Sequence, residues 1–497
     1  MPLIAFVYTI AALALAVYGS NSLFLAIVHV FTRPRDPDLP PAPTEWPRVT
    51  VQIPIYNEVH VAPRVIQAVA ALDYPADRLE IQVLDDSDDE TSRVVDRLVR
   101  RLRAQGVRIY HLRREDRVGY KAGALAYGLS HARGEYIAIF DADFVPPRDW
   151  LRRTVPYLAV NPRLGFVQTR WEHLNARASS VTLAQSLALD GHFGVEQPAR
   201  SRLGWPVVFN GSAGLWRRSC IVDSGGWHAD TVCEDLDLSY RAAMRGWKGM
   251  ILTQVTAAGE VPPSVEAFRR QQSRWATGSI QTLRKHVGAW FRAPLPWPAR
   301  LEGFVHMSNY LVHPFMLILF LLTLPMMFIR EHVLWPLTYL SLASLGPPLV
   351  YTWAQWQLRG HGRRLRALPL LAFLGLGIAW TGSKAVWQGL RGHSTPFVRT
   401  PKFRLVGRDN HWRGKRYDRE HEDTPLGEFL LGVYALFTLG VAVHMRNWWA
   451  VPFIFLYAAG FITVGGRILW ERGGRKSGGV RVLPKSPLLH PSPGQRE

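Results

Sequence analysis

Cysteine is scarce in this chain, which has only Cys220 and Cys233 among its 497 residues. Neither belongs to a Cys-x-x-Cys pair or to a spacing typical of metal ligands, so the sequence indicates no disulfide framework and no structural zinc. The first strand-like run, at 49–55, is not followed by a Gly-x-Gly-x-x-Gly sequence. A dinucleotide-dependent dehydrogenase is therefore disfavoured.

Acidic residues are also few, with 39 Asp and Glu against 59 Lys and Arg, which gives a formal net charge of +20. A basic chain can bind nucleic acid, but this one has no nucleic-acid reader motif and no patch in which basic and aromatic residues alternate. The basic residues stand beside apolar segments instead, at 359–366 and 391–419. We therefore expect no nucleic-acid partner.

Apolar residues make up 48% of the chain, and the long apolar runs predict a membrane protein. Residues 3–31 contain no Asp, Glu, Lys or Arg and are long enough to span a bilayer. Because Arg33 and Arg35 follow this run and no basic residue precedes it, we expect the N-terminus outside and the next segment in the cytosol. The run continues well past the Ala-Leu-Ala sequence at 14–16, which favours an uncleaved anchor over a signal peptide.

Further apolar runs predict four more spans, at 304–328, 333–353, 429–443 with its flanks, and 449–469. The segment at 368–390 is ambiguous. If it crossed the membrane, the basic loop after Leu390 would lie outside, against the positive-inside rule. We therefore expect this segment to lie at the cytosolic interface or to re-enter, which gives five spans in total.

Between 49 and 140, strand-like and helix-like patterns alternate. Apolar, β-branched runs predict strands at 49–55, 81–87, 107–112 and 136–140, and the stretches between them predict helices at 61–71, 91–103 and 121–131. Alternation of this kind is typical of an α/β domain with a mostly parallel sheet.

The strand at 136–140 ends directly in Asp141, Ala142 and Asp143. Ligands of open α/β sheets bind at the carboxyl ends of the strands. Two carboxylates spaced i, i+2 at that edge can hold a hard cation, Mg²⁺ or Mn²⁺, and through it a phosphate. A short Asp-x-Asp sequence also arises by chance, so its meaning depends on the motifs around it.

Those motifs form an ordered set: VQIPIYNE at 51–58, VLDDSDD at 83–89, GYKAGAL at 119–125, VCEDLDL at 232–238 and QQSRW at 271–275. The set resembles the membrane-embedded, inverting family-2 glycosyltransferases of the cellulose synthase, cellulose-synthase-like and hyaluronan synthase group, over about residues 48–405. The resemblance implies a GT-A, Rossmann-like α/β domain inserted between transmembrane helices.

The resemblance implies a nucleotide site whose aromatic and acidic side chains hold the base and ribose, while Lys121 at a helix start meets the diphosphate. The alternative for the acidic run at 85–89 is a solvated turn that caps the next helix. The residues assigned to the nucleotide are Tyr56, Glu58, Asp85, Asp86, Lys121, Gln271 and Arg274.

The acidic motif at 233–235 is Thr-Glu-Asp in the family and Cys-Glu-Asp here. By resemblance, Asp235 is the general base that takes the proton from the acceptor hydroxyl, and Glu234 accompanies it in catalysis. The alternative role, acids in the first turn of a helix, is compatible with this one.

Gln271, Arg274 and Trp275 are spaced i, i+3 and i+4, so a helix places them on one face. Arg274 can neutralise charge on the leaving diphosphate, and the indole of Trp275 offers a stacking surface for a sugar. A single Trp beside an Arg is ordinary in a membrane protein. By resemblance, the acceptor loop is FNGSAG at 209–214, so the acceptor-binding residues are Trp275, Asn210, Gly211 and Ser212.

The sequence FVRTPK at 397–402 resembles the family's gating motif, F-x-V-T-x-K. Phe397, Thr400 and Lys402 match it, whereas Arg399 replaces a valine. We expect six segments: an anchor at 1–32, a GT-A domain at 47–292, interface and membrane helices at 293–390, a gating-type loop at 391–425, two spans at 426–470 and a disordered tail at 471–497.

The predicted function is transfer of a hexose from a UDP- or GDP-sugar to a growing β-glycan of the cellulose or mannan type, with translocation through the bilayer. The motifs lean toward the mannan and glucan branch. The alternative is a non-processive synthase that adds a sugar to a lipid. A transporter or binding protein that retains only the fold is disfavoured by the intact Asp141, Asp143 and Asp235. The expected location is a bacterial plasma membrane, with the catalytic domain cytosolic.

Overall fold

The computed structural model describes residues 2–32, 35–329, 340–359, 362–392, 400–409, 411–412, 415 and 424–476. Its centre is a seven-stranded sheet. The strands are β1 (Val49–Ile55), β2 (Leu79–Asp85), β3 (Ile109–Leu112), β4 (Tyr136–Ile139), β5 (Leu164–His173), β6 (Gly214–Arg217) and β7 (Lys248–Gly259). They lie in the order β3-β2-β1-β4-β6-β5-β7.

The first four strands confirm the predicted alternation. β1 pairs in parallel with β2 and β4, and β2 pairs in parallel with β3. The connecting helices are α2 (Ala62–Ala70), α3 (Thr91–Ala104) and α4 (Tyr120–His131), and an apolar helix, α1 (Pro2–Thr32), precedes the sheet. In α3 the buried residues recur at helical spacing, at Val95, Leu98, Val99 and Leu102, so one stripe faces the sheet.

The second half of the sheet contains an antiparallel strand that the sequence pattern did not locate. β6 is only four residues long and runs antiparallel to both β4 and β5, while β5 and β7 are parallel. Because β6 lies next to β4, the loop before β6 reaches the turn after β4. There the Ala213 amide donates to the Ile139 carbonyl at 2.8 Å. This pairing brings the predicted acceptor loop beside Asp141.

Helices cover both faces of the sheet, which suits its central strands β1 and β4, since these are buried along their whole length. On one face Trp150, in α5 (Trp150–Val160), packs edge-on against Phe140 with ring centroids 4.8 Å apart. On the other face Trp216 stacks on Phe166 at 4.3 Å. Full burial of such side chains contributes roughly 1.5–3 kcal/mol each. The shorter helices of this half are α6 (Ser180–Gly191), α7 (Gln197–Arg202), α8 (Arg218–Asp223) and α9 (Glu234–Met244).

The remaining helices form a largely apolar bundle that follows the sheet. They are α10 (Val265–Trp290), α11 (Trp297–Met307), α12 (Val312–Met326), α13 (Gly346–Arg359), α14 (Leu368–Gly377), α15 (Ala379–Arg391), α16 (Leu426–His444) and α17 (Val451–Lys476). In the described part of the chain, four helices are long and apolar enough to cross a membrane: Leu3–Thr32, Asn309–Met326, Leu426–His444 and Val451–Arg472.

These four helices coincide with four of the five predicted spans. The fifth prediction, at 333–353, falls partly outside the described residues, and its described part ends in α13. At the crossing of α1 with this region, a Cβ on Gly346 would lie only 2.2 Å from the Gly19 carbonyl oxygen. Small residues therefore allow two backbones to meet closely, as is common between membrane helices.

The ambiguous segment at 368–390 forms α14 and α15, which are bent by 48° relative to each other and so form either a broken span or a re-entrant pair. α15 packs on α10, where the Thr277 hydroxyl donates to the Ala385 carbonyl at 3.2 Å. The interfacial or re-entrant placement stays a prediction. α17 continues to Lys476, beyond the predicted boundary at 470, and 477–497 lie outside the described residues.

Candidate active site

A cleft opens at the carboxyl ends of β1 and β4. Because the carboxyl ends of parallel strands share one sheet edge, motifs that are far apart in the sequence meet here. The predicted site residues that line the cleft are Tyr56, Glu58, Asp86, Lys121, Asp141, Asp143, Asn210, Gly211, Glu234, Asp235, Gln271, Arg274, Trp275, Thr400 and Lys402.

The carboxylates of Asp141 and Asp143 are each held by a lysine ammonium group. Lys121 Nζ lies 2.6 Å from Asp141 Oδ1, and Lys402 Nζ lies 2.7 Å from Asp143 Oδ2. Burial raises the pKa of Asp141, and the nearby Asp143 adds to this rise, although Lys121 opposes it. Asp141 and Asp143 offer hard oxygen donors of the kind that Mg²⁺ and Mn²⁺ prefer, so the pair fits a divalent cation that would take the place of a lysine ammonium group.

Lys121 joins three of the motifs. Besides Asp141, its Nζ lies 3.5 Å from Glu234 Oε1 and donates to the Gly211 carbonyl at 2.9 Å. Burial lowers the pKa of Lys121, but Asp141 and Glu234 outweigh that effect and hold it above its usual value. Gly211 has φ +84°, and a Cβ there would lie 2.8 Å from Asp235 Oδ2. Glycine is therefore required where the acceptor loop passes the acidic motif.

Glu234 and Asp235 form the first turn of α9, directly after Cys233. Asp235 Oδ1 accepts a hydrogen bond from the Leu236 amide at 2.8 Å. Burial and then the charge of Glu234 raise the pKa of Asp235 to about 7, against the opposing effect of Lys121. A carboxylate with a pKa near neutral pH is suited to act as a general base.

At the predicted nucleotide end, Tyr56 and Glu58 follow β1, and Asp86 follows β2. Arg114 Nε donates to Asp86 Oδ1 at 3.0 Å. Asp85, which was also predicted to bind the nucleotide, is not among the residues that line the cleft, and its side chain is fully buried. Asp85 accepts a hydrogen bond from the Ser87 amide at 2.9 Å and contacts His111 at 2.8 Å. It therefore shapes the turn from a buried position, whereas the alternative interpretation of the acidic run was a solvated turn that caps the next helix.

On the predicted acceptor side, Asn210 lines the cleft and its amide group contacts His192 Nε2 at 3.1 Å. The placement expected for Ser212 needs correction. Ser212 is fully buried, and its hydroxyl accepts a hydrogen bond from the Asp141 amide at 3.0 Å. The reason is the pairing of β4 with β6, which turns Ser212 toward the backbone of the Asp-x-Asp turn.

Gln271, Arg274 and Trp275 lie on α10 and face the cleft together. The segment after 399 closes one side of the same cleft, with Thr400 and Lys402 in its wall. The Lys402 ammonium group also donates to the Glu260 carbonyl at 2.8 Å. Phe397 lies outside the described residues, so its predicted place in the gating-type loop stays a prediction.

Sequence reasoning missed Glu260, which follows β7 and contacts the Asp-x-Asp motif. Its amide donates to Asp143 Oδ2 at 3.0 Å, and its carboxylate pairs with Arg64 at 2.6 Å. Burial raises the pKa of Glu260, while Arg64 opposes the rise. The available signal was the one used for Asp141, an acidic residue directly after a strand. The strand itself was not predicted, so the signal was not used.

A second acidic cluster lies outside the cleft, where ligand atoms of His228, Asp230 and Asp237 lie within 4.8 Å of one another. Cationic groups already surround its buried member. Asp237 lies 2.8 Å from Lys285 Nζ and 2.6 Å from Arg241 Nη2. A metal ion here would meet these positive charges, so the cluster fits an ion-pair network better than a metal site.

Residues 47–278 match the family model described as glycosyltransferase like family 2. The chain is 37% identical over 434 residues to glucomannan 4-beta-mannosyltransferase 7 of Arabidopsis thaliana, which covers 84% of this chain and 76% of that protein. It is 44% identical over 254 residues to probable glucomannan 4-beta-mannosyltransferase 9 of Oryza sativa subsp. japonica. That alignment covers 50% of this chain and 48% of that protein. The aligned region thus spans about half the length of the rice relative.

Among solved structures, the fold is similar to mannosyltransferase PcManGT from Pyrobaculum calidifontis in complex with GDP-Man and Mn²⁺. The TM-score is 0.50 at 22% identity, over 77% of this chain and 99% of that one. This likeness confirms the GT-A fold. Together with the apolar helices, the relatives identify the chain as a multi-pass membrane protein of the family-2 glycosyltransferases, in the cellulose-synthase-like group.

Proposed function

We propose that this protein transfers a mannosyl residue from GDP-mannose to the end of a β-linked mannan or glucomannan chain. The relatives named above are glucomannan mannosyltransferases, which supports the choice of sugar. The observation that carries the proposal is the position of Lys121. One ammonium group contacts the Asp-x-Asp motif, the acidic motif and the acceptor loop, so donor, base and acceptor elements meet at a single point.

In the proposed reaction, Asp235 accepts the proton of the acceptor hydroxyl, whose oxygen attacks C1 of the donor sugar. The bond from C1 to the diphosphate oxygen breaks, and GDP leaves with the electron pair from the face opposite the attack, so the configuration at C1 inverts. Arg274 and Lys121 lie in the cleft wall, where positive charge stabilises the diphosphate. A divalent cation held by Asp141 and Asp143 would supply further positive charge there when bound.

Trp275 and Asn210 are proposed to orient the acceptor sugar. The indole provides an apolar face, and the Asn210 amide, held by His192, provides hydrogen-bonding groups in the same cleft. The buried pairing of Lys402 with Asp143 connects the segment that begins at Thr400 to the Asp-x-Asp motif. A donor complex that binds Asp143 would compete with this lysine.

The proposed orientation places the catalytic domain and the basic loop in the cytosol, as the positive charges predict. An Arg408→Cys variant tests it, because residue 408 is exposed. The thiol should react with an impermeant reagent only after the cells are opened, and labelling of intact cells would contradict the five-span arrangement. The named relatives come from plants, so the expectation of a bacterial plasma membrane stays a prediction.

The proposed function is tested by incubating membranes that contain the protein with labelled GDP and UDP sugars and then sizing the product. We expect label from GDP-mannose in a long polymer that a β-mannanase digests. A product that partitions into organic solvent and carries one sugar would support the lipid-glycosylating alternative. No transfer from any sugar nucleotide, with a folded protein, would contradict the proposal.

A further inference from the structure

Arg117 lines the cleft beside Tyr56, and its guanidinium lies over two tyrosine rings. Its guanidinium carbon lies 3.3 Å from the ring centroid of Tyr56 and 4.9 Å from that of Tyr120. A guanidinium over an aromatic face is stabilised by cation–π attraction, and the stacking fixes its plane. Tyr56 follows β1 and Tyr120 begins α4, so the plane is set from two separate elements.

Within the part of the chain that the structure describes, the guanidinium of Arg117 interacts only with these two rings. Its Nε is buried without a hydrogen-bond partner, and across the described residues no hydrogen bond or ion pair of this side chain is found. The two other arginines of the same segment differ. Arg113 donates to the Ser87 carbonyl at 2.7 Å, and Arg114 pairs with Asp86. A guanidinium at the wall of a cleft that makes no hydrogen bond to the described residues is suited to a ligand that supplies acceptors.

We propose that Arg117 selects guanine over uracil as the base of the donor nucleotide. The diphosphate is expected near Lys121, which pairs with Asp141. Arg117 lies instead beside Tyr56, where the base is expected. Guanine presents O6 and N7 as two acceptors on one edge, which match the two parallel N–H groups of an arginine. The corresponding edge of uracil has one acceptor, O4, beside a carbon, so it accepts one hydrogen bond and leaves a donor unpaired.

This inference rests on the proposed function, because it concerns the donor of that reaction. The test is calorimetric titration of the full-length protein in detergent, with Mn²⁺, using GDP and UDP. The variants are Arg117→Lys, which keeps the positive charge but lacks the two parallel N–H groups, and Arg117→Met, which lacks both. Arg113→Met is the matched control, since Arg113 lies four residues away and its side chain is 52% exposed. The melting temperature of each variant establishes that it is folded.

We expect the wild-type protein and Arg113→Met to bind GDP at least about tenfold more tightly than UDP, the discrimination typical of one bidentate contact to a base. Both Arg117 variants should reduce the ratio of the two affinities to about twofold or less, chiefly because they bind GDP more weakly. Equal wild-type affinities would overturn the inference. So would a preference for GDP that survives in Arg117→Lys, or equal weakening of both nucleotides, which would assign Arg117 to the diphosphate.

The transfer assay separates this inference from the proposed function. If mannose is transferred from GDP-mannose while the Arg117 variants keep the full preference for GDP, the inference about the base fails and the proposed function stands. If no sugar nucleotide is used as a donor, the proposed function fails. A measured preference for GDP that depends on Arg117 would then still support the base contact.

Discussion

Asp235 and Asp237 stand two residues apart on α9 but have opposite environments. Asp235 faces the cleft, where burial and Glu234 raise its pKa to about 7. Asp237 is fully buried on the other side of the helix. Burial also acts to raise the pKa of Asp237, but hydrogen bonds from His286 and the charge of Arg241 outweigh it, so the pKa is lowered.

The difference lies in the balance of charge around each carboxylate. In the cleft, Asp141, Glu234 and Asp235 share the single ammonium group of Lys121, so negative charge is in excess. Around Asp237, one buried carboxylate meets Arg241, Lys285 and His286. An acidic cluster with too few cations is suited to bind a metal ion or a proton, whereas one with enough cations is suited to hold helices together. The second cluster joins α9 to α10.

The largest expected effect is on catalysis at Asp235. Asp235→Asn keeps the shape of the side chain but cannot accept the acceptor's proton, and loss of a general base costs on the order of 10²- to 10⁴-fold in rate. The affinity for GDP should hardly change. A coupled assay for GDP release and calorimetry measure the two quantities.

Asp230→Asn is the control for Asp235→Asn, because it removes an exposed acid from the second cluster and should leave turnover unchanged. An Asp235→Asn protein with a near wild-type rate would remove Asp235 from the mechanism and direct attention to Glu234. One that does not bind GDP would assign Asp235 to the nucleotide and metal site.

The next effect is on stability at Asp237. Asp237→Asn leaves Arg241 and Lys285 without their buried anion, and breaking a buried pair in this way costs about 3–5 kcal/mol of unfolding free energy. We expect a large drop in the melting temperature of the detergent-solubilised protein. Asp230→Asn removes an exposed partner of Lys285 and should cost less than about 1 kcal/mol. Equal melting temperatures for the two variants would contradict a structural role for Asp237.

The smallest effects are those of pH, and at Asp235 they have opposite signs for turnover and stability. The base must be ionised in the free enzyme, so kcat/KM should fall about tenfold per pH unit as the pH drops below about 7. A carboxyl whose pKa is raised on folding contributes its stability below its ordinary pKa, and that contribution is lost as the pH rises through about 7. The melting temperature of the ligand-free protein should therefore decrease over this range. Asp235→Asn should lack this decrease. The same dependence of melting temperature on pH in the variant and the wild-type protein would contradict its attribution to Asp235.

Much of the site was predictable because its acids follow apolar strands at one sheet edge. Asp141, Asp86 and the strands before them obey that rule, and the family motifs located Asp235 and Trp275. The turn geometry was not predictable. Asp85 is the last residue of β2 and Asp86 follows it, yet only Asp86 reaches the cleft, because successive side chains along an extended chain point to opposite sides.

The features that sequence reasoning missed depend on contacts between distant segments. β6 is short and antiparallel, and nothing in its four residues identifies its neighbours. Glu260 and Arg64 are separated by 196 residues, and Arg117 acquires its meaning only from the tyrosine rings on either side. Local patterns predict elements and edges, whereas the balance of charge at a site requires the positions of all its side chains.

The central claim is that the cleft, with its excess of carboxylates, binds the divalent cation and that the second cluster does not. Electron paramagnetic resonance of Mn²⁺ titrated into the full-length protein with GDP tests it most directly. Asp143→Asn should weaken Mn²⁺ binding by at least about tenfold. Mutation of residues that only support metal ligands already lowers metal affinity by about 10- to 100-fold. Asp230→Asn should leave Mn²⁺ binding unchanged. Loss of bound Mn²⁺ in Asp230→Asn, with full binding in Asp143→Asn, would contradict the claim and place the metal at His228, Asp230 and Asp237.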